Sequence, residues 1–248
     1  MKIDNLLSAF STTRFFLLLF GLLILFSCKK EIVEPQTGSV NFMIDYLVDD
    51  QPLVFDTIQY TNDAGNTFSV TKIEYFISDI TLIDEMGNES YFDDVFYMNP
   101  RLNESFQVAL TDVELKDYAS MRFHVGLNSD TNKTDYLPAT TENQNMFWPE
   151  PMGGGYHFMK FEGHFIDSLG ATLGYAMHLG TNTCLVNCVI EQPLSINEDN
   201  QVVELEMNLN EWFRNPHVYD LNSAGYIMGN QEKMRIIADN GNDVFKLK

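Results

Sequence analysis

The sequence predicts an all-β domain, mainly antiparallel and sandwich-like, with a few short helices and a long central loop. Apolar and polar residues alternate in several short runs, which is the pattern of strands that bury one face. These runs are 40–46, 73–77, 121–125 and 203–209. Two further segments, 156–166 and 171–179, are rich in aromatic and β-branched residues. Many strands with little helix favour two packed sheets.

A turn, three short helices and one long loop complete the predicted secondary structure. Residues 84–88 predict a turn, because they are polar and contain glycine. Short helices are predicted at 112–118 after a Thr111 cap, at 210–213, and at 231–238. Residues 128–155 lack a clear periodicity, and structureless stretches of this length in compact domains are usually functional or mobile.

The N-terminal segment predicts a bacterial lipoprotein. Lys2 and Arg14 precede an apolar run of twelve residues at 15–26. This run is shorter than the about 20 residues of a membrane-spanning helix and is typical of an export signal. The sequence Leu-Phe-Ser-Cys ending at Cys28 resembles a lipobox, in which the cysteine is acylated and anchors the chain. A plain signal peptide with an incidental cysteine is the alternative.

These features divide the chain into a signal peptide (1–27), a flexible tether from lipidated Cys28 to residue 38, and one domain (39–248). The expected location is the outer membrane, on its periplasmic face or at the cell surface. Because the tether is polar, contains proline and glycine, and lacks periodicity, we expect it to be unstructured.

The acidic composition makes nucleic acid an unfavourable partner. The chain has 15 Lys and Arg against 35 Asp and Glu. Residues 1–27 hold two of the basic and one of the acidic residues, so 13 basic and 34 acidic residues remain, a net charge of about −21. Such a surface repels phosphates and anionic lipid but is compatible with cationic ligands such as metals. A purely solubilising surface is the alternative.

Histidine and cysteine side chains are the candidate metal ligands. The histidines are His124, His157, His164, His178 and His217. His178 precedes Cys184 and Cys188, and imidazole with sulfur ligands suits copper or zinc. The spacing matches no recognised zinc pattern. A local disulfide between the two cysteines, in an oxidising compartment, is the alternative, and each histidine could also be an ordinary strand residue.

Strand geometry restricts two of these pairings. His157 and His164 are seven residues apart, so on one continuous strand they face opposite sides and at most one shares a site with a given neighbour. In an extended strand the Cα atoms of Cys184 and Cys188 would be about 13 Å apart. A disulfide needs less than about 7 Å, so it would require a turn between them.

No catalytic signature is present in the sequence. It contains no G-x-S-x-G, no H-E-x-x-H and no nucleophile–base pair. The 130–135 segment lacks the glycine and glutamate of an EF-hand, and the glycines at 153–155 lack the context of a phosphate loop. We therefore expect a protein that is not an enzyme.

Several landmarks of the central segment occur together in the order of a known family. They are Tyr75 to Leu82 with the turn at Gly87, Arg122 to Asn128, Met146-Phe147-Trp148, Gly155 to Gly163, and Met177-His178-Leu179-Gly180 with Cys184. With this order the chain resembles the MbnP-like copper-binding family, which is common among Bacteroidetes lipoproteins. The resemblance covers nearly all of the chain from about Ser39.

The resemblance implies a β-rich extracytoplasmic domain that binds copper through two histidines and an oxidised tryptophan, kynurenine. By carry-over, Trp148 is the matching tryptophan and His178 the matching histidine. The second histidine of the family is replaced by Asn128-Ser129. His124, His157 or His164 would have to substitute for it.

Three functions follow as expectations. The first is copper binding for uptake, storage or delivery, with His178 as the primary ligand, another histidine, and Cys184 or Cys188 as further ligands. A di-haem cytochrome c peroxidase-like protein or an outer-membrane transporter would be the partner. The second is a metal-free surface binding or assembly module, and the third is a redox module that uses Cys184 and Cys188.

Overall fold

The computed structural model describes residues 35–102 and 107–248. The predicted signal peptide, Cys28 and most of the tether lie outside the described residues. Residues Gln36–Lys248 form one compact unit, and its first strand begins at Thr37, just inside the predicted tether. In the described part, no helix is both long and apolar enough to cross a membrane.

The described residues form mostly strands. They are β1 (Thr37–Val48), β2 (Gln51–Pro52), β3 (Tyr60–Thr61), β4 (Thr67–Phe68), β5 (Lys72–Ile83), β6 (Glu89–Phe92), β7 (Phe96–Met98), β8 (Gln107–Glu114), β9 (Lys116–Tyr118), β10 (Ser120–Val125), β11 (His157–Ile166), β12 (Thr172–Gly180), β13 (Val186–Ile190), β14 (Leu194–Ile196), β15 (Gln201–Asn208) and β16 (Phe245–Leu247). The α-helices are α1 (Thr141–Asn145) and α2 (Gln231–Asn240). Single 3-10 turns lie at Glu150–Met152, Asn182–Cys184, Glu211–Phe213 and Gly241–Asp243.

Two sheets form the body of the domain. The small sheet has the order β16-β15-β1-β2, with β8 also paired to β1. Its pairs are antiparallel except for β1 and β15, which run parallel. The large sheet is built around β5, which pairs with β10 and β11, while β13 continues from β10 and β12 continues from β11. β9 and β14 form a separate pair.

The core lies between the inner faces of the two sheets. The hydroxyls of Tyr46 on β1 and Tyr75 on β5 are 2.8 Å apart in a buried hydrogen bond between the sheets. Phe245 on β16 packs against Tyr75 and Phe123, with ring centroids 6.3 and 5.0 Å apart. Because Tyr75 faces the small sheet, its neighbour Glu74 faces away, and this defines the outer face of the large sheet.

The predicted all-β, sandwich-like fold is confirmed. The predicted strands at 40–46, 73–77, 121–125, 156–166, 171–179 and 203–209 all correspond to observed strands, and the turn at 84–88 joins β5 to β6. The helix predicted at 231–238 is α2, and the one at 210–213 is a 3-10 turn.

The helix predicted at 112–118 is wrong. This segment forms the end of β8 and then β9. Val113 pairs with Gly38 of β1 and is fully buried, so ladder hydrogen bonds and core packing outweigh a weak capping signal. The backbone φ of Asp112 is positive, 57°, which marks an irregularity in this strand.

Candidate metal centre

The central loop, residues 128–155, covers part of the outer face of the large sheet. The Met146 carbonyl accepts a hydrogen bond from the His157 backbone N–H at 2.6 Å. The Lys160 ammonium donates to the Asn145 carbonyl. Because the loop lies on one face and the core on the other, the first half of β11 is buried throughout.

Trp148 is the side chain that the loop inserts against β12. Its indole N–H donates to the Met152 carbonyl at 3.2 Å, and the side chain is 2 % exposed. The six-membered ring lies directly on Gly180, where a Cβ atom would come within 2.4 Å of it. A glycine is therefore required at position 180 for the indole to reach this position.

A β-bulge places a histidine beside this tryptophan. The extra residue of β11 is Phe158, so that His157 lies opposite Gly180 while Lys160 lies opposite His178. Residues directly opposite share a face, and Gly180 and His178 share one because they are two residues apart. His157 and His178 are consequently diagonal neighbours on the outer face.

Trp148, His157 and His178 form one group of rings, which we call the Trp–His cluster. The centroids of Trp148 and His157 are 4.8 Å apart, and those of His157 and His178 are 5.1 Å apart, both in edge-to-face geometry. His157 is 6 % exposed, whereas the His178 side chain is 17 % exposed. The cluster therefore opens to solvent on the His178 side.

Each imidazole has one nitrogen engaged by an acceptor. His157 Nδ1 lies 3.2 Å from the Met146 carbonyl, and His178 Nε2 lies 2.8 Å from Glu162 Oε1. A carbonyl or carboxylate oxygen can only accept, so each of these nitrogens carries the proton in the neutral ring. The lone pairs of His157 Nε2 and His178 Nδ1 are then the ones that can bind a metal ion.

Electrostatics keeps His157 neutral. Burial, followed by the positive charges of Lys160 and of protonated His178, lowers the pKa of His157 to about 3. The hydrogen bond from His178 holds the pKa of Glu162 below its ordinary value, with Lys72 at 3.5 Å acting in the same direction against burial. A neutral buried imidazole is the form that ligates metals.

The cluster supplies two imidazoles and few other donors. In residues 35–102 and 107–248, no group of three or more His, Cys, Asp or Glu side chains is arranged to hold a metal ion. Zinc usually takes four protein ligands, or three and a water. Two imidazoles beside an indole fit a copper ion of low coordination number better than they fit zinc.

The sequence model of the MbnP family matches residues 37–231, most of the chain. The chain belongs to the MbnP family. Among solved structures, MbnP from Methylosinus trichosporium is similar, with 13 % identity and a TM-score of 0.56 over 86 % of this chain and 98 % of that one. This likeness shows that the two proteins share a fold. No curated protein sequence matches the chain.

His124, predicted as a ligand in this MbnP-family chain, lies in a separate group of side chains around Asp79. Its Nδ1 is 3.0 Å from Asp79 Oδ2, and Tyr91 and Asn128 donate to Oδ1 at 2.5 and 2.8 Å. Burial raises the pKa of Asp79, but these hydrogen bonds and that of Ser78 outweigh it and hold the pKa below its ordinary value. The Asp79 group satisfies this carboxylate without a metal.

His164 and the two cysteines also lie apart from the cluster. His164 is exposed and opposite Gly174, four pairs along the ladder from Lys160 and His178. Cys184 and Cys188 are free and buried, so the disulfide considered as the alternative to metal ligation is absent from this structure. Cys188 faces the core from β13, with its thiol 3.4 Å from the Gly241 carbonyl.

The parity argument that separated His157 from His164 is wrong, because the bulge at Phe158 puts both on the outer face. His157 was one of three substitutes for the second histidine, and only the bulge selects it. A bulge has no reliable sequence signal. The loop that ends at it is closed by an antiparallel bridge between Phe147 and Tyr156, whose ring centroids are 5.3 Å apart.

We expect Gly180→Ala to displace Trp148. The added Cβ would overlap the indole, so the free energy of unfolding should fall by about 1–3 kcal/mol, and tryptophan emission should change. Gly174→Ala is a matched control on the same face of β12, because its Cβ meets only the hydroxyl of the exposed Tyr226 at 2.7 Å. Equal stability of the two variants would contradict the packing of Trp148 on Gly180.

His157 should make stability depend on pH. Because its pKa falls from 6.5 to about 3 on folding, the unfolded chain binds a proton that the native state does not. The free energy of unfolding should therefore be unaffected above pH 6.5 and fall below it, by up to about 1.4 kcal/mol per pH unit. Denaturant unfolding between pH 6.5 and 5 measures this change in free energy in a pH range above the one in which most carboxylates titrate.

The matched variants for this experiment are His157→Gln and His164→Gln. The first should flatten the pH dependence of stability between pH 6.5 and 5, and the second should leave it as in the wild type. An unchanged slope in His157→Gln would show that this imidazole is not held neutral by the fold.

The thiols of Cys184 and Cys188 should be unreactive in the native protein. Burial raises the pKa of Cys188, which disfavours the reactive thiolate. We expect a thiol reagent to modify both cysteines in denaturant and neither in buffer. A mass after alkylation that depends on prior reduction would contradict this arrangement and favour a redox role.

Proposed function

We propose that this protein is an extracytoplasmic lipoprotein that binds copper at the Trp–His cluster for uptake, storage or delivery. The proposal is carried by one observation, the contact of the His157 and His178 rings beneath Trp148. The family resemblance adds an expectation of copper held by two histidines next to a modified tryptophan. His157 is the histidine whose position agrees with that expectation.

The chemistry of the cluster supports copper as the cargo. His157 is neutral at physiological pH, so no proton has to leave it before metal binds. The Met146 carbonyl and the Glu162 carboxylate orient the two rings through their other nitrogens, as outer-shell partners of metal-binding histidines do. His178 would be the ligand that first meets an ion from solvent, because it is the more exposed.

The setting of this function is also part of the proposal. Acylation of Cys28 would hold the domain at the outer membrane and outside the cytoplasm. A di-haem cytochrome c peroxidase-like protein that oxidises Trp148, or an outer-membrane transporter, would be the partner. Intact-mass analysis of the protein isolated from its own cells, with a Trp148→Phe control, tests whether this tryptophan is modified.

Copper binding is tested by competition for Cu(I) with a chromogenic chelator under anaerobic conditions. We expect His178→Ala and His157→Ala each to weaken the affinity by about tenfold or more, because each removes a ligand. His164→Ala is the matched control, since His164 lies on the same face but outside the cluster. Its affinity should equal that of the wild type.

A wild-type affinity for Cu(I) no greater than that of His178→Ala would overturn the proposal. Thermal unfolding provides a second readout, because a ligand of the native state stabilises it. If copper leaves the unfolding temperature unchanged, a metal-free binding or assembly module becomes the better description.

A further inference from the structure

A segment beyond Gly225 runs along the edge of β12 beside the Trp–His cluster. The Ala176 N–H donates to the Gly225 carbonyl at 2.7 Å, and the Ile227 N–H donates to the Ala176 carbonyl at 3.3 Å. This is a parallel bridge. The bridge is isolated, and the chain turns directly after it, where the Asn230 N–H donates to the Ile227 carbonyl at 2.9 Å.

The C-terminal end of this segment, at Gln231, is bonded to the turn that follows β12. The Gln231 side-chain oxygen accepts a hydrogen bond from the Thr183 hydroxyl at 2.9 Å. Met228 and Gly229 lie between these two attachments and therefore run beside the last residues of β12.

A second methionine reaches the same place from the central loop. The carbonyl of Met152 accepts the hydrogen bond of the Trp148 indole, so this residue is tied to the cluster. Its methyl group lies 2.8 Å from the position that a Cβ of Gly229 would occupy. Met152 thus spans from the tryptophan to the segment that carries Met228.

Exposure distinguishes these two methionines from those of the core. Met152 is 36 % exposed and Met228 is 37 % exposed, whereas Met146, Met159 and Met177 are fully buried. Two partly exposed methionines therefore lie in the two segments that border the last residues of β12. A thioether is a soft ligand that selects Cu(I) over harder ions.

We propose that Met152 and Met228 form a thioether entry site that captures Cu(I) from solvent and passes it to His157 and His178. This inference rests on the proposed function, which it deepens by naming the oxidation state of the ion. A soft pair at the rim with imidazoles behind it gives Cu(I) a path of ligands into the cluster.

The test compares the wild type with the double variant Met152→Leu/Met228→Leu, which conserves volume and removes both sulfur atoms. We expect the rate of Cu(I) uptake from a chelator to fall by about tenfold, because both soft entry ligands are lost, and the rate of Cu(II) uptake to stay within about twofold. Met43→Leu is the matched control, because Met43 is also 37 % exposed but lies on β1.

A second measurement uses Ag(I), a redox-stable soft ion, with NMR of the methionine methyl groups in the full-length protein. The signals of Met152 and Met228, assigned from the single leucine variants, should shift on addition of stoichiometric Ag(I), and the signal of Met43 should not. This readout does not depend on copper binding by the histidines.

The two proposals fail in distinguishable ways. Cu(I) binding that requires His178 but whose rate of uptake is unchanged in the double leucine variant would overturn the entry site alone. Absent shifts of Met152 and Met228 with Ag(I) would also overturn it. A wild type that binds no Cu(I) would overturn the copper function, whatever the Ag(I) spectra show.

Discussion

The burial of the first half of β11 on both faces is the constraint on which the candidate site depends. One face of this strand packs into the core between the sheets, and the other lies under the central loop. A strand in that position has little contact with water, so polar groups on its outer face must find partners in the loop. His157 bonds to Met146 and Lys160 to Asn145 for this reason. The same burial lowers the pKa of both side chains.

Close packing then turns this covered face into a specific site. Trp148 can approach the sheet only because position 180 is a glycine, and His157 faces the indole only because Phe158 is an extra residue in the ladder. Neither feature alone creates the cluster. Together they place the neutral imidazole of His157 between the indole of Trp148 and the more exposed imidazole of His178, with ring centroids 4.8 and 5.1 Å from its own. The loop that lacked periodicity in the sequence is therefore the element that assembles the site.

Other side chains that could bind a metal lie outside the Trp–His cluster. His124 is held by Asp79, and the thiols of Cys184 and Cys188 are enclosed by the core. These groups are reasonable ligands by residue type, but their bonds and burial keep them engaged elsewhere. In the proposed entry site, sulfur comes instead from Met152 and Met228, which sequence reasoning about cysteine spacing did not consider.

Local pattern was sufficient for much of the fold, because a period-two alternation is produced by burial of one strand face wherever that strand pairs. Sequence by itself therefore determined the β-rich class, the strands around Phe42, Tyr75 and Phe161, and the family landmarks that include Trp148 and His178. It could not decide which histidine accompanies His178, since a single bulge reverses the side to which every preceding residue points. It also could not show that 112–118 is strand, because its pairing with β1 joins residues far apart in the chain. Those choices belong to long-range packing, which only the tertiary structure decided.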